Sequence, residues 1–392
     1  VKRRHVLISG AGIAGPAAAF WLARSGFTTT IVERSPRLRT SGHAVDLRGA
    51  QVEALRRMGL LERVVAAGTG RSELRVLNSK GRHVLSLPPQ FAGGEVEIAR
   101  GELSSILYEA TAEDTEYIFG DWVTELTETG EGVAVTFAGG GTRLFDLVVG
   151  ADGLHSGVRA LTFGPEGRFR TDLGYYVAGF GAPNHLGLDH VGLMYNVPGR
   201  GITVSGLRPE ASVRVTLVFA SEPLDFDRHD VAQQRKLVAD RFADVGWEVP
   251  RLLDALWDAD DLYFDPLCQV HLPGYSRGRT VLLGDAAWGA GPGGGGTGLA
   301  MTAAYVLAGE LAHADADHGA AFQRFERAVR PAASAGLKQA KGAGPFLAPA
   351  TRTGLWLRDR AYRALTSRLL IGWLDSMSTK AANVLKPREY PL

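Results

Sequence analysis

The sequence predicts an α/β protein: parallel strands alternating with helices, an inserted antiparallel β-sheet, and helices at the C-terminal end. Three observations carry that reading. A strand–glycine turn–helix texture occurs three times, near Ser9, Gly150 and Gly284. Between about 172 and 275 it gives way to short strands separated by turn residues, the pattern of an antiparallel sheet. From 319 to 377 the apolar spacing is helical.

Taken in order, His5–Ser9 is a short apolar strand, Pro16–Ser25 a helix stopped by Gly26, and Thr28–Val32 a β-branched strand. A helix over Ala50–Met58 ends at Gly59, and the apolar strand Phe145–Val149 closes a second α/β stretch over 95–170. Val191–Val197, Gly201–Leu207 and Ser212–Ala220 read as successive strands, interrupted by a helix over Val231–Val245. Thr280–Leu283 is again a buried strand, leading through a glycine loop into a long helix, Leu299–His313. The final helical stretch is expected to break at Pro331 and around Gly342–Pro349, because proline lacks the N–H that a helix interior needs. The expected division is a discontinuous α/β unit at 1–70, 95–171 and 278–330, an inserted β-sheet unit at 71–94 and 172–277, and a helical segment at 331–392.

Composition narrows the function classes. The 392 residues are 45% hydrophobic and 22% charged, ordinary values for a globular chain. Lys+Arg 43 against Asp+Glu 42 leaves a net charge of +1, without the cationic footprint of a nucleic-acid binder. The single cysteine, Cys268, excludes an intramolecular disulfide and a multi-cysteine metal site, and the histidines show no metal-ligand spacing. No apolar run approaches the ~20 residues of a bilayer span, so stable membrane insertion is not expected. A reduced, cytoplasmic protein, monomer or homodimer, is the expectation. Glycine is the outlier: 50 residues, about 13% against a usual ~7%.

Glycine concentrates where chemistry is expected. Gly10-Ala11-Gly12-Ile13-Ala14-Gly15 lies between a strand and a helix. There the first glycine makes a tight turn, the second lets a pyrophosphate approach the backbone, and the third permits close helix–strand packing. The helix N-terminus offers N–H groups to phosphate, and Glu33 at the end of the next strand is placed to bind ribose hydroxyls. Asp146 to Arg159 is a second strand–turn–helix unit containing Gly150, Asp152 and Gly153; by itself it could equally be a plain turn with the acid as helix cap. The third unit runs from Val281 through Gly284-Asp285 to the glycines 293–296 and Thr297-Gly298. Its acid can accept from a polyol hydroxyl, and its helix N-terminus can face an anionic ring edge.

In this order and at these separations, the three motifs with Glu33-Arg34 resemble the single-component FAD-dependent aromatic monooxygenases. That is the para-hydroxybenzoate hydroxylase class, whose tetracycline-inactivating branch is nearest in size; the resemblance covers roughly residues 5–330. It implies an FAD-binding Rossmann-like domain of the glutathione-reductase type. It places Gly10, Gly12, Ala14 and Gly15 at the pyrophosphate, Glu33 at the adenosine ribose with Arg34 beside it, and Val123 by the adenine. The segment Gly42–Gly49 would run past the flavin with Asp46 as a contact, Arg100 would reach the ribityl–phosphate region, and Asp152 would support FAD and a transient nicotinamide. Asp285 would hold the ribityl chain, and Gly296, Thr297 and Gly298 would present N–H groups to the isoalloxazine. Three departures stand out: Trp288 where relatives carry a polar residue, a glycine loop one residue shorter, and Gly298 in place of a helix-opening asparagine.

The resemblance implies NADPH or NADH as transient reductant, since only one nucleotide fingerprint is visible. It implies molecular oxygen and oxygen transfer through a flavin C4a-hydroperoxide to an aromatic, polycyclic or polyketide-like small molecule. No side-chain nucleophile is needed. A redox-neutral cyclase, with FAD as scaffold, is the alternative; a flavin halogenase is set aside because no W-x-W occurs. Met194, Asn196, Phe219, Gln269 and Trp288 are candidate pocket residues, each of which could equally be sheet packing. His43 and Trp288 are the candidates nearest the chemistry, and His43 and His271 could carry protons or simply be satisfied histidines. Between Leu355 and Met377, Trp356, Tyr362, Leu365, Leu369 and Trp373 alternate with Arg358, Arg360, Arg363 and Arg368, a stripe expected to pack on its own protein.

Overall fold

The computed structural model describes residues 3–39, 42–70, 73–87, 94–206, 212–314, 317–365, 383–385 and 388–391. The first third runs β1 (His5–Ser9), α1 (Ala14–Arg24), β2 (Thr28–Glu33), β3 (Ala44–Leu47), α2 (Ala50–Arg57), α3 (Leu61–Ala66), β4 (Glu73–Leu77), β5 (His83–Leu87), β6 (Val96–Ala99) and α4 (Arg100–Glu109). Then come β7 (Thr115–Phe119), β8 (Val123–Glu128), β9 (Val133–Phe137), β10 (Thr142–Phe145), β11 (Leu147–Gly150), α5 (Gly157–Phe163) and β12 (Arg170–Pro183). β13 (Val191–Val197), β14 (Arg200–Gly206), β15 (Ser212–Ala220), α6 (Val231–Phe242), α7 (Val249–Asp258), β16 (Tyr263–Val270), β17 (Ser276–Arg277) and β18 (Thr280–Leu282) follow. The chain closes with α8 (Asp285–Trp288), α9 (Gly296–Ala312), α10 (His318–Ala340), α11 (Ala343–Leu347) and α12 (Arg352–Leu365).

The first layer is a six-stranded sheet in the order β17-β18-β11-β1-β2-β7. Its inner strands are parallel and buried on both sides, which is why Val6, Leu7, Ile8, Val148 and Val149 read as unbroken apolar runs. α1 and α9 are apolar nearly all round and fill the layer above, so neither needs the one-sided stripe of a surface helix.

The second layer is a seven-stranded sheet in the order β16-β12-β15-β14-β13-β4-β5, antiparallel except where β13 meets β4. One face carries Tyr176, Phe180, Ile202, Val204, Val215, Leu217 and Phe219 against α6 and α7. Tyr176, Phe219 and Phe264 stack there with ring centroids 5.5–6.3 Å apart. β16 escapes simple pattern reading because it contains Pro266; the strand lies at the sheet edge, where a missing N–H is tolerated, and its register with β12 shifts beside it. α7 begins with Pro250 in its first turn, a position that proline favours.

The expected break at Pro331 is not there: α10 runs through it from His318 to Ala340. Proline inside a helix costs about 3 kcal/mol. Burying Phe322, Phe325 and Val329 on the same helix contributes about 1.5–3 kcal/mol each and outweighs it. The break around 342–349 is present: α10 ends at Ala340, short α11 lies inside the break, and α12 starts at Arg352. The aromatic–arginine stripe is described only to residue 365, so Arg368, Leu369 and Trp373 lie outside the described residues. Within the described part, Arg358 donates to Asn196 Oδ1 at 2.8 Å and to the Phe346 carbonyl at 3.1 Å, tying α12 to the second sheet.

α11 rests directly on that sheet. A Cβ on Gly201 would lie 2.0 Å from the Leu347 carbonyl oxygen, and Asn196 Nδ2 donates to the same oxygen at 2.6 Å. Gly201→Ala should therefore push α11 off the sheet and lower stability by about 1–3 kcal/mol, measured by urea unfolding; an unchanged midpoint would contradict this contact. Cys268 is buried, and desolvation, with Asp265 nearby, pushes its thiol up to about 12. Iodoacetamide at pH 7.5 should leave the native protein unlabelled and modify Cys268 only after unfolding, as read by mass spectrometry.

Candidate functional site

The three glycine turns meet at the carboxyl ends of β1, β11 and β18, the end of an open parallel sheet at which ligands bind. Gly10, at φ +106°, lies so close to β11 that a Cβ on it would sit 2.5 Å from the Ala151 carbonyl oxygen. A Cβ on Gly15 would sit 1.9 Å from the Gly10 carbonyl oxygen. Gly284, at φ +68°, packs on Ala14, with 3.1 Å between the two Cβ positions. Residues from three distant stretches thus form one contiguous backbone surface.

Two long helices open on that surface without side-chain caps and without acids in their first turns. α1 starts at Ala14, and α9 starts at Gly296 after Gly295 in the left-handed region; Gly296, Thr297 and Gly298 are its first turn. Their leading N–H groups need an acceptor from elsewhere, and the positive ends of their dipoles favour an anion. Gly298 has a second reason to be glycine: a Cβ there would overlap the Gln51 side chain at 2.2 Å. Gln51, buried on α2, is a site residue that sequence reasoning missed, since only the contact between α2 and α9 reveals it.

Charged groups surround this backbone. Arg100 Nη2 is 3.8 Å from the Cβ position of Gly12, and the Arg100 stem packs on Gly42. The Asp285 carboxylate oxygen is 3.2 Å from the Cβ position of Gly296; desolvation raises its pKa although Arg100 opposes the rise. Asp285 is nevertheless exposed, so it meets solvent inside a cleft. Glu33 accepts from the Ala11 N–H at 2.8 Å and the Ser35 N–H at 2.9 Å, with Arg39 at 3.6 Å. Arg34 lies over the Trp122 ring at 5.1 Å, next to buried Val123. Asp46, on β3, accepts from the Gly94 N–H at 2.9 Å, and desolvation pushes its carboxyl to about 6. Asp152 is not itself the helix cap: it accepts from Ser156 and from the Val158 N–H, backing Ser156 as the cap of α5.

The second sheet supplies the opposite wall. Pairing across its strands sets Tyr263, Gly179, Thr216, Thr203 and Met194 in one cross-strand row, and directly paired residues share a face. His43 sits on the glycine gap in this row: its ring lies 2.6 Å from the Cβ position of Gly179, and Nδ1 hydrogen-bonds Thr216 Oγ1 at 3.2 Å. Burial, then Arg214 and Arg100, pull the His43 pKa down to about 4, and Nε2 is buried without a partner. The ring is neutral at pH 7, so it offers a hydrogen-bonding nitrogen rather than a stored proton. His271 is exposed and away from the row.

Several expected pocket residues point elsewhere. Phe219 is on the opposite face of the sheet, inside the aromatic stack under α6. Trp288 is 1% exposed in the main core, 5.3 Å from the Tyr275 ring, with its indole N–H unpartnered, so it walls no cleft. Gln269 is buried and donates to the Leu337 carbonyl of α10 at 2.6 Å. Asn196 is covered by α11, and Met194, though in the row, packs under Phe346 and Leu347. Thr216 could have been found from the alternation of Val213, Val215 and Leu217 with Arg214 and Thr216. Tyr263 could not, because its place depends on pairing with Gly179 far upstream. Among the described residues no cluster of His, Cys, Asp and Glu could hold a metal ion, and no helix is long and apolar enough to cross a membrane.

A family model described as FAD binding domain matches residues 3–326. A flavin-dependent monooxygenase from an unknown prokaryotic organism is 35% identical over 333 residues, covering 84% of this chain and 86% of the relative. The crystal structure of tetracycline destructase Tet(51) is similar with a TM-score of 0.87 and 30% identity, covering 99% of this chain and 100% of that one. Klebsiella pneumoniae HpxO complexed with FAD and uric acid shares the fold, with a TM-score of 0.76 at 20% identity over 97% of each chain. On this geometry Asp46 is a carboxyl that folding holds in an unfavourable setting. Its pKa rises on folding, so the native state loses stability as pH rises from about 4 to about 6 and remains penalised above. Asp46→Asn keeps the acceptor for Gly94 and should flatten that segment of the apoprotein stability–pH curve while stabilising it at pH 8. An equal slope in both proteins would refute this.

Proposed function

This chain belongs to the FAD-binding domain family and is an FAD-dependent monooxygenase, and from that premise we propose that it uses NADPH or NADH to oxygenate an aromatic, polycyclic or polyketide-like small molecule. The observation that carries the reading is the meeting of the Gly10–Gly15, Gly150–Gly153 and Gly284–Gly298 turns opposite a polar row of the second sheet. The residues present fit the cofactor: a backbone cradle that a Cβ would fill, two uncapped helix starts, and a desolvated carboxylate between them. When bound and reduced, the flavin supplies activation of molecular oxygen and delivery of one oxygen atom.

The chain's own contribution is binding, orientation and dryness. Gly10, Gly12 and Gly15 would admit the pyrophosphate to the N-terminus of α1, with Arg100 as its cation and Glu33 toward the ribose. Arg34 and Val123 would border the adenine. Asp285 would accept from the ribityl hydroxyls, and the N–H groups of Gly296–Gly298 would face the anionic edge of the ring, a preorganised electrostatic stabilisation. Asp46 would flank the ring from β3, and Asp152, holding the Ser156 cap of α5, would support FAD and the transient nicotinamide. The substrate would lie between that ring and the row of Thr216, Thr203 and Tyr263, with neutral His43 above Gly179. The identity to a tetracycline destructase supports a polycyclic, oxygen-rich compound.

Purified holoprotein mixed anaerobically with NADPH or NADH should lose its visible flavin band, and one class of polycyclic phenol should speed that loss. In air the same compound should gain one oxygen atom by mass spectrometry. A band that persists with both nucleotides would overturn the reductant assignment. If no polycyclic phenol is oxygenated while a linear polyene is cyclised by unreduced protein, the substrate class and the redox role both fall.

A further inference from the structure

Tyr263 stands at the edge of the polar row, 43% exposed, yet the surrounding protein desolvates its phenol strongly. Asp265 then adds to the upward push on its pKa, and it also feels the charges of Arg100 and Asp285. A ring that is accessible but desolvated, and within electrostatic reach of those two groups, lies in the cleft between the sheets. Among the described residues its hydroxyl has one partner: it donates to Asp265 Oδ2 at 3.3 Å.

Asp265 is itself fixed by the chain that follows β11. It is 5% exposed and receives His155 Nε2 at 2.9 and 3.0 Å. His155 Nδ1 meets Glu166 at 2.9 Å, and Glu166 also receives Arg170 at 2.9 Å and buried Arg159 at 3.3 Å. Burial works against a charged His155, but the hydrogen bonds to Asp265 and Glu166 prevail and raise its pKa. Glu166, despite burial, is held down to about 2 by His155 and Arg170, with Arg228 adding to the effect. The chain of contacts leaves both imidazole nitrogens as donors and both acids as acceptors. Asp265 is therefore committed as an acceptor, and the Tyr263 proton is committed to Asp265.

We propose that Tyr263 is a specificity-determining residue whose oxygen, polarised by Asp265 and locked by the His155–Glu166 clamp, accepts a hydrogen bond from a phenol or enol hydroxyl of the substrate. The phenol oxygen keeps its lone pairs for the cleft while its only proton points away. The site thus selects a donor and discriminates against the same molecule with that hydroxyl methylated, because the ether offers no proton. His155, Asp265 and Glu166 are positioning residues, acting through Tyr263. This rests on the oxygenase reading only for the word substrate; the binding preference is a property of the cleft.

The test is equilibrium binding to the holoenzyme, followed by perturbation of the flavin spectrum without reductant. The probes are 1-naphthol and 9-phenanthrol, each against its methyl ether. Wild type should bind each phenol about tenfold more tightly than its ether, and Tyr263→Phe should bring the ratio near one. Asp265→Asn gives a sharper readout. His155 should take the amide oxygen, turning the amide N–H toward Tyr263; the tyrosine proton is then freed toward the cleft, where phenol and ether oxygens both accept it, and the preference should fall to near one with the tyrosine still in place. Loss of a purely structural role would weaken both probes alike and leave the ratio unchanged. A wild type without phenol preference, or a Tyr263→Phe that keeps it, overturns the proposal. Failure of the oxygenase reading is seen separately, as absence of oxygenated product from wild type.

Discussion

Backbone laid against backbone is the constraint on which this molecule depends. Gly10 against Ala151, Gly15 against Gly10, and Gly284 against Ala14 bring three strand ends within van der Waals contact, leaving no room for side chains. The same close approach exposes peptide N–H groups, and the two helices that start there carry no caps of their own. A surface made of free donors is unstable unless something anionic meets it. Fold and cofactor affinity therefore share one cause.

The second sheet answers that surface with a different chemistry. Its outer face is a stacked aromatic core, whereas its inner row is polar and interrupted by Gly179, the notch that His43 fills. Beyond the row, α11 lies on Gly201 and α12 reaches Asn196 through Arg358, so the cleft is closed on that side by chain from the C-terminal part. α10 contributes at the other end: a Cβ on Gly336 would sit 2.5 Å from the Gly294 carbonyl oxygen, which seats the glycine loop on a helix. The glycine excess is thus divided between turns at the ligand surface and contacts where helices press on sheets.

Charge is distributed in the same economical way. Two of the acids with raised pKa, Asp46 and Asp285, lie in the cleft, where desolvation dominates. Glu166, with a lowered pKa, lies among His155, Arg159 and Arg170, where hydrogen bonds and opposite charges together outweigh burial. One set is poised to meet a ligand, and the other holds the wall in place.

The sequence by itself determined the strands and turns of the first layer, because His5–Ser9, Thr28–Glu33 and the glycine motifs act through neighbours only a few residues away. It also announced the antiparallel texture of Val191–Val197 and Ser212–Ala220, since alternation is local. Tertiary structure decided what local pattern cannot encode. Pro331 is carried through α10 by burial against distant residues, and Trp288, next in line after the Asp285 turn, rotates into the core instead of the cleft. Alternation already puts Phe219 and Thr216 on opposite faces of one strand, but the packing of α6 decides which face becomes core. Tyr263 and Gln51 become site residues only through pairing with Gly179 and packing on Gly298, contacts whose partners lie far along the chain and are selected by the closing of the two layers.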